Sequence, residues 1–179
     1  RAARQGMRGA RWPKCTADQD VEWPHLIHAT LIWQQPHPIY LAETLYRLFP
    51  TMETLDKWRD VVFATAEYMA DFIQLDTLRG VYVLEPPLCP VSENTPIFET
   101  RNPTFELAYW RYGLQTAQIW RERLGIPRNK HWDNVLARLA PLPVQEGTYV
   151  TYEGIPEMWS RYNFEHPALA GIYGMLPGL

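Results

Sequence analysis

Apolar side chains recur every three or four residues over long stretches of the chain, which is the spacing typical of amphipathic helices. One stripe predicts a helix over 38–49, with Pro38 suited to its first turn and Pro50 to its end. A second stripe predicts a helix over 51–75, which Thr51 can cap. Because these two helices almost adjoin, they are predicted to form an αα-hairpin.

Two more helices are predicted in the second half of the chain. One begins with Asn102 as its N-cap and Pro103 in its first turn, and it ends at Gly125. A shorter helix covers 131–139. The segments that suit β-strands are few and short: 80–84 and 148–152. The chain is therefore predicted to be all-α and built from stacked helical hairpins.

The segment 76–101, between the second and third helices, has no helical period and contains four prolines. A loop of this length inside a compact domain is usually either functional or disordered. Its apolar residues, such as Val81 and Leu84, disfavour disorder because they need a surface to pack against. We therefore expect an ordered loop over a pocket.

The composition is that of a soluble globular protein, with 46 % hydrophobic and 21 % charged residues. The net charge of −3 comes without a basic stripe, so nucleic acid is not an expected partner. No apolar run approaches the roughly 20 residues that cross a bilayer, so no membrane partner is expected. Eight tryptophans and ten tyrosines suit either a large core or a surface that stacks on sugar rings.

Metal and disulfide chemistry find little support in the sequence. Cys15 and Cys89 belong to no Cys-x-x-Cys pattern, and we interpret both as buried thiols, with a single disulfide between them as the alternative. His25 and His28 have helical spacing but lack an acidic or cysteine partner, so a metal site is rejected. No metal or organic cofactor is expected.

An Arg-Gly-Ala-Arg-Trp-Pro segment at 8–13 precedes Glu-Trp-Pro at 22–24. This order resembles glycoside hydrolases of family 65 and neighbouring six-hairpin glycosidases, in which a comparable segment borders the sugar-binding cleft. The resemblance implies that Trp12 and Trp23 are platforms for sugar rings. Two tryptophans packed at loop corners are the alternative interpretation.

The next segment, Trp33-Gln34-Gln35-Pro-His37-Pro-Ile-Tyr40, joins polar groups to aromatic rings at the start of a helix. In the resembled family the comparable segment faces the active-site end of the barrel. The resemblance therefore implies substrate contacts from Gln34, Gln35 and His37, beside the rings of Trp33 and Tyr40. His37 could equally be a structural helix cap.

The loop sequence Pro-Pro-Leu-Cys-Pro-Val-Ser-Glu, ending at Glu93, is followed by Asn-Pro-Thr-Phe-Glu-Leu-Ala-Tyr-Trp from Asn102. It resembles the family 65 pattern of an acid-bearing loop before a long inner helix, which implies that Glu93 is the general acid and that Asn102 starts the helix at the substrate. A proline-fixed, aromatic-walled loop can raise the pKa of such an acid by desolvation. Because Ser92 replaces the family's usual Asp, Glu99 and Glu106 stay as rivals. Glu106 has a structural alternative in the first turn of a helix.

The resemblance spans nearly the whole chain and implies that residues 1–179 form part of an (α/α)6 barrel, lacking hairpins on one or both sides. The implied function is hydrolysis of an O-glycosidic bond in an oligosaccharide, with inversion. The implied partners are the substrate and the rest of the barrel, or further copies of the chain. The tail offers three carboxylates, Glu153, Glu157 and Glu165, but in the resembled family the general base lies farther downstream.

Two other functions stay open. A disaccharide phosphorylase of the same fold is the nearer one, although no basic or Gly/Ser-rich phosphate site is visible in the sequence. The other is a non-catalytic scaffold of helical hairpins, which the absence of a regular repeat disfavours. A secreted or periplasmic location is favoured over a cytoplasmic one.

Overall fold

The structure is a computed structural model that describes residues 1–176, apart from the side chains of Asp20 and His166. Its α-helices are α1 (Leu26–Thr30), α2 (His37–Leu48), α3 (Met52–Phe72), α4 (Thr104–Arg123), α5 (Lys130–Ala137), α6 (Met158–Arg161) and α7 (His166–Gly174). Short 3-10 turns cover Ala2–Gln5, Asp18–Asp20 and Asn163–Glu165. The strands are β1 (Gln74–Asp76), β2 (Val81–Val83), β3 (Val144–Gln145) and β4 (Thr148–Tyr149). The predicted mainly helical fold is confirmed.

The hairpin of α2 and α3 begins where the sequence predicts. The hydroxyl of Thr51 accepts a hydrogen bond from the Thr54 amide at 3.1 Å, which confirms Thr51 as the cap of α3. The helix ends at Phe72 rather than at Leu75, because Gln74–Asp76 pairs with Val81–Val83 as an antiparallel hairpin. The core stripe of α3 is buried as predicted.

Helix α4 is the central element of the fold. It contacts α2, α3, α5 and α7, and its first two turns are buried on every side. The indole of Trp110 donates to the Met69 carbonyl at 2.9 Å, and that of Trp120 donates to the Glu43 carboxylate at 2.8 Å. These bonds satisfy buried polar groups and fix α4 against α3 and α2.

The N-terminus of α4 differs from the prediction. Pro103 is the N-cap, and Asn102 lies one residue outside with φ at 46°. Asparagine tolerates this left-handed conformation better than most residues. Instead of capping α4, the side-chain oxygen of Asn102 accepts from the Leu84 amide at 2.8 Å. The predicted end at Gly125 is confirmed, since Gly125 is left-handed at φ 67° just after the helix.

The long loop after β2 is ordered, as predicted. Leu84, Leu88 and Cys89 are completely buried, and Cys89 donates its amide hydrogen to the Thr30 carbonyl at 3.1 Å. This contact attaches the loop to the last residue of α1. The same loop then leads into α4. It therefore connects the region of Thr30, just before the Trp33–Tyr40 segment, with the segment that starts at Asn102, and both segments are predicted to contribute to the site.

Candidate functional site

The loop that carries the candidate acid Glu93, called the acid loop below, makes a tight turn between Pro90 and Glu93. The Glu93 amide donates to the Pro90 carbonyl at 2.9 Å, and Glu93 itself is left-handed with φ at 63°. A non-glycine residue in this conformation costs roughly 1–2 kcal/mol, so the surrounding packing has to hold it there. Cys89 and Pro90 are both buried and supply that packing.

The Glu93 carboxylate lies at the edge of the protein, where its side chain is 32 % exposed. It forms an ion pair with Lys14, a residue of the Trp-Pro-Lys segment near the start of the chain. Glu93 can therefore be reached from solvent, whereas Leu88, Cys89 and Pro90 of the same loop are buried. Its rival Glu99 is also exposed.

The second rival, Glu106, is buried in the first turn of α4, at 1 % exposure. One of its oxygens accepts a hydrogen bond from the Val91 amide at 2.7 Å. Burial raises the pKa of Glu106 to about 7, so its carboxyl group can carry a proton near neutral pH. Glu106 thus supports the acid loop from beneath, and it faces no solvent.

A third carboxylate, Glu165, comes from the far end of the chain. Burial raises the pKa of the Cys89 thiol to about 11, and the charges of Glu93, Glu106 and Glu165 add to the effect, while Lys14 opposes it. All four charged groups therefore lie within electrostatic reach of one buried sulfur. Sequence reasoning missed Lys14 altogether and placed Glu165 only among three tail carboxylates.

Aromatic side chains from α2, from the turn that precedes it and from α4 form a cluster beside the acid loop. The rings of Trp33 and His37 meet edge to face at 4.7 Å, and Nδ1 of His37 lies 2.8 Å from the Tyr109 hydroxyl. Burial lowers the pKa of His37, which favours the neutral ring. Tyr40 lies 6.3 Å from Tyr109, ring to ring. Val91 of the acid loop packs against the same buried cluster as Trp33 and Tyr40.

The two glutamines of this segment are buried and bind the backbone of Trp12. Gln35 accepts from the Trp12 amide at 2.8 Å and donates to the Trp12 carbonyl at 2.6 Å. Gln34 donates to the same carbonyl and to that of Leu31, both at 3.1 Å. These amide groups position the chain start against α2. These bonds do not support the predicted contacts of Gln34 and Gln35 with substrate. The side-chain oxygen of Gln34 has no hydrogen-bond partner among the described residues.

The tryptophans predicted as ring platforms do not share one surface. The indole of Trp12 donates to the Thr65 hydroxyl at 2.9 Å and lines an apolar groove of about 490 Å³ between α2 and α3. Trp33 lies in the aromatic cluster that also contains Tyr40. Trp23 is 51 % exposed near the chain start. The structure therefore brings Trp33, His37 and Tyr40 together, while Trp12 faces a separate groove.

Asn102 takes part in a structural network. Its amide side chain accepts from Leu84 and donates to Glu153, and its backbone amide donates to the Leu84 carbonyl at 2.9 Å. Arg79 pairs with the same Glu153 at 2.7 Å. These contacts hold the start of α4 to Leu84, the residue after β2, and to Glu153 of the tail.

The rings of His25 and His28 lie 5.2 Å apart, and within residues 1–176 no group of three or more His, Cys, Asp or Glu could hold a metal ion. Cys15 and Cys89 are both free thiols; Cys89 is buried as predicted, whereas Cys15 is only partly buried. None of the helices in the described part of the chain is long and apolar enough to span a membrane.

Comparison with protein-family models gives no match to this chain, and comparison with curated proteins gives no significant match.

Proposed function

We propose that this chain is part of a glycoside hydrolase, in which Glu93 is the general acid and the helices belong to an (α/α)6 barrel. The observation that carries the proposal is the placement of Glu93. Its carboxylate reaches solvent from a strained turn that begins at the buried residues Cys89 and Pro90, next to a cluster of aromatic rings. Strained backbone of this kind is concentrated at functional sites, where geometry matters more than stability.

The proposed reaction needs few groups. The Glu93 carboxyl gives its proton to the glycosidic oxygen while the bond between that oxygen and the anomeric carbon breaks. Water adds to the anomeric carbon from the opposite face and loses its proton to a second carboxylate, so the anomeric configuration is inverted. For Glu93 to act, its ion pair with Lys14 has to open as the substrate arrives.

The aromatic cluster is the proposed sugar-binding surface. Trp33 and Tyr40 are only partly buried, so part of each ring is available to stack on the apolar face of a sugar. The hydrogen bond between His37 and Tyr109 holds the rings in place from behind. Trp33 and Tyr40 pack in the same cluster as Val91, which stands two residues before Glu93, the proposed acid.

The test is Glu93→Gln compared with Glu99→Gln, which changes an exposed glutamate of the same loop. Glu93→Gln should abolish most hydrolysis of unactivated oligosaccharides, and it should spare activated aryl glycosides, whose leaving groups need little protonation. Glu99→Gln should keep both activities. Equal losses on both substrate types in Glu93→Gln, or unchanged activity on the oligosaccharides, would refute the acid role.

Phosphorolysis is the second candidate, and one observation favours it. Arg1, Arg4 and Arg11 line a cavity of about 380 Å³, which they share with Glu22. Guanidinium groups in this number suit an anion such as phosphate. If phosphate accelerates cleavage and the product is a sugar phosphate, the reaction is phosphorolysis; if the rate is the same without phosphate, it is hydrolysis.

A further inference from the structure

The apolar groove between α2 and α3 is a cavity that the proposed glycosidase chemistry does not use. Its volume of about 490 Å³ lies within the range of small-molecule sites, roughly 300–1,000 Å³. Its walls are side chains such as Ala42 and Leu45 of α2, Val61 of α3 and the indole of Trp12. Because these groups are apolar, the groove suits the hydrocarbon part of a ligand rather than the hydroxyl groups of a sugar.

Trp12 is a fixed wall of this groove. The buried side chains of Gln34 and Gln35 bind its backbone amide and carbonyl groups. Its indole nitrogen donates to the buried Thr65 hydroxyl at 2.9 Å. The wall is therefore in place before a ligand arrives, and a preformed wall lowers the entropic cost of binding.

A second cavity, of about 360 Å³, continues the groove. The two cavities adjoin, because Leu45 and Trp58 line both of them. The second cavity is also lined by polar side chains, namely those of Thr51, Glu53, Thr54 and Lys57. The combined space is thus apolar in one part and polar in the other, which matches an amphiphilic ligand.

Lys57 supplies a positive charge where the two cavities meet. Its Nζ lies 5.6 Å from the centroid of the Trp58 ring, which lines both cavities. Among the described residues Lys57 forms no ion pair, although Glu53 stands one helical turn before it in α3. The ammonium group is therefore available to an anion at this junction.

The polar side chains of the second cavity favour a carboxylate as the head group. The hydroxyl groups of Thr51 and Thr54 lie 3.0 Å apart in a hydrogen bond, which leaves one of their hydroxyl hydrogens free to donate. A carboxylate can accept from this hydroxyl and from the Lys57 ammonium. A cationic head group that paired with Glu53 would lie in the same cavity as that ammonium, which repels it.

We infer that the groove and the second cavity together bind an alkyl carboxylate, the anion of a fatty acid. Its hydrocarbon chain lies in the groove between Trp12 and Trp58, and its carboxylate lies on Lys57 at the junction. The site shares no residue with the aromatic cluster proposed to bind sugar, so it does not depend on Glu93 being an acid.

Isothermal titration calorimetry of the full chain tests this inference with three probes: decanoate, butyrate and decyltrimethylammonium. Each buried methylene strengthens binding about fourfold, so butyrate should bind at least about a hundredfold more weakly than decanoate. Decyltrimethylammonium should bind about tenfold more weakly than decanoate, because its head group is repelled by Lys57 instead of attracted.

Four variants at exposed positions locate the ligand. Lys57→Gln should weaken decanoate binding about tenfold and remove the preference over decyltrimethylammonium. Its matched control is Glu53→Gln, which removes the opposite charge from the same cavity and should bind decanoate at least as tightly as wild type. Leu41→Glu, in the groove, should weaken decanoate binding about tenfold or more, whereas Leu78→Glu, outside it, should bind like wild type.

The wild-type measurements can overturn the inference without any variant. They would do so if decanoate showed no saturable binding, or if decyltrimethylammonium bound equally well or more tightly. Unchanged decanoate binding by Lys57→Gln, or an equal loss in Glu53→Gln, would refute the contact between the carboxylate and the ammonium. Decanoate binding that survives Leu41→Glu would refute the groove as the site of the hydrocarbon chain.

Discussion

The Glu106 carboxylate accepts a hydrogen bond from the Val91 amide at 2.7 Å, from a position in α4 that is closed to solvent. This bond ties the acid loop to the central helix two residues before Glu93. A buried acceptor of this kind fixes the loop more firmly than loop packing alone, since losing it would leave the Val91 amide hydrogen without a partner.

The pKa of Glu106 predicts how stability depends on pH. Burial raises this pKa from the ordinary 4.5 to about 7, so the native state holds the proton more tightly than the unfolded chain does. The stabilisation is fully present below about pH 4.5 and is lost as the pH rises through about 7, in total about 3 kcal/mol. Denaturant unfolding of wild type and Glu106→Gln, at several pH values across this window, measures it.

Glu106→Gln keeps an oxygen for the Val91 amide but cannot ionise, so its free energy of unfolding should fall much less across the same window. Other carboxylates, such as Asp71 and Asp76, have pKa values below the ordinary range and stay ionised throughout. An identical pH dependence in wild type and Glu106→Gln would show that Glu106 does not titrate in this window.

Gly9 should be intolerant of any side chain. It is left-handed at φ 74°, and an added Cβ would lie 2.2 Å from the Ala64 carbonyl oxygen and 2.5 Å from the Tyr68 amide nitrogen, both in the backbone of α3. Gly9→Ala should therefore cost about 2 kcal/mol or more of unfolding free energy, measured by denaturant titration. The control is Gly6→Ala, at φ 71° with open space around it, which should cost only about 1 kcal/mol. Equal costs would place the chain start away from α3.

The groove between α2 and α3 should bind hydrophobic dye. Its lining is apolar and includes Leu41, which is 65 % exposed, and Trp58. Leu41→Glu should remove most of the dye fluorescence and leave the unfolding free energy within about 0.5 kcal/mol of wild type. Leu78→Glu, at a 98 % exposed leucine in a turn outside the groove, should leave the fluorescence unchanged. Dye binding that resists Leu41→Glu would place the apolar patch elsewhere.

Periodicity in the sequence predicted the main helices because their stripes are long and regular. Leu55, Val62 and Met69 of α3 are buried as their spacing requires, and Thr51 caps the helix. The prediction that Asn102 caps α4 was wrong because its side-chain oxygen accepts a hydrogen bond from the distant Leu84 amide. A capping rule considers only neighbouring residues and cannot foresee such a partner. Strand β1 was missed because the predicted helix was extended over it to Leu75, and the two-residue strand β3 was missed as well.

The candidate site was harder to predict, because its contacts join distant parts of the chain. Gln34 and Gln35 look in sequence like ligands for hydroxyl groups, yet they bind Trp12, more than 20 residues away. The ion pair of Lys14 with Glu93 spans 79 positions, and no local pattern marks it.

The central position of α4 has a consequence for cooperativity. Its neighbours come from both ends of the chain, since α2 and α3 precede it and α7 is the last helix of the described residues. Neither end can open fully without exposing Trp110 or Tyr109 to water. The amide hydrogens in the middle of α4 should therefore exchange with solvent only when the whole domain unfolds, which makes this helix the slowest-exchanging part of a single cooperative unit.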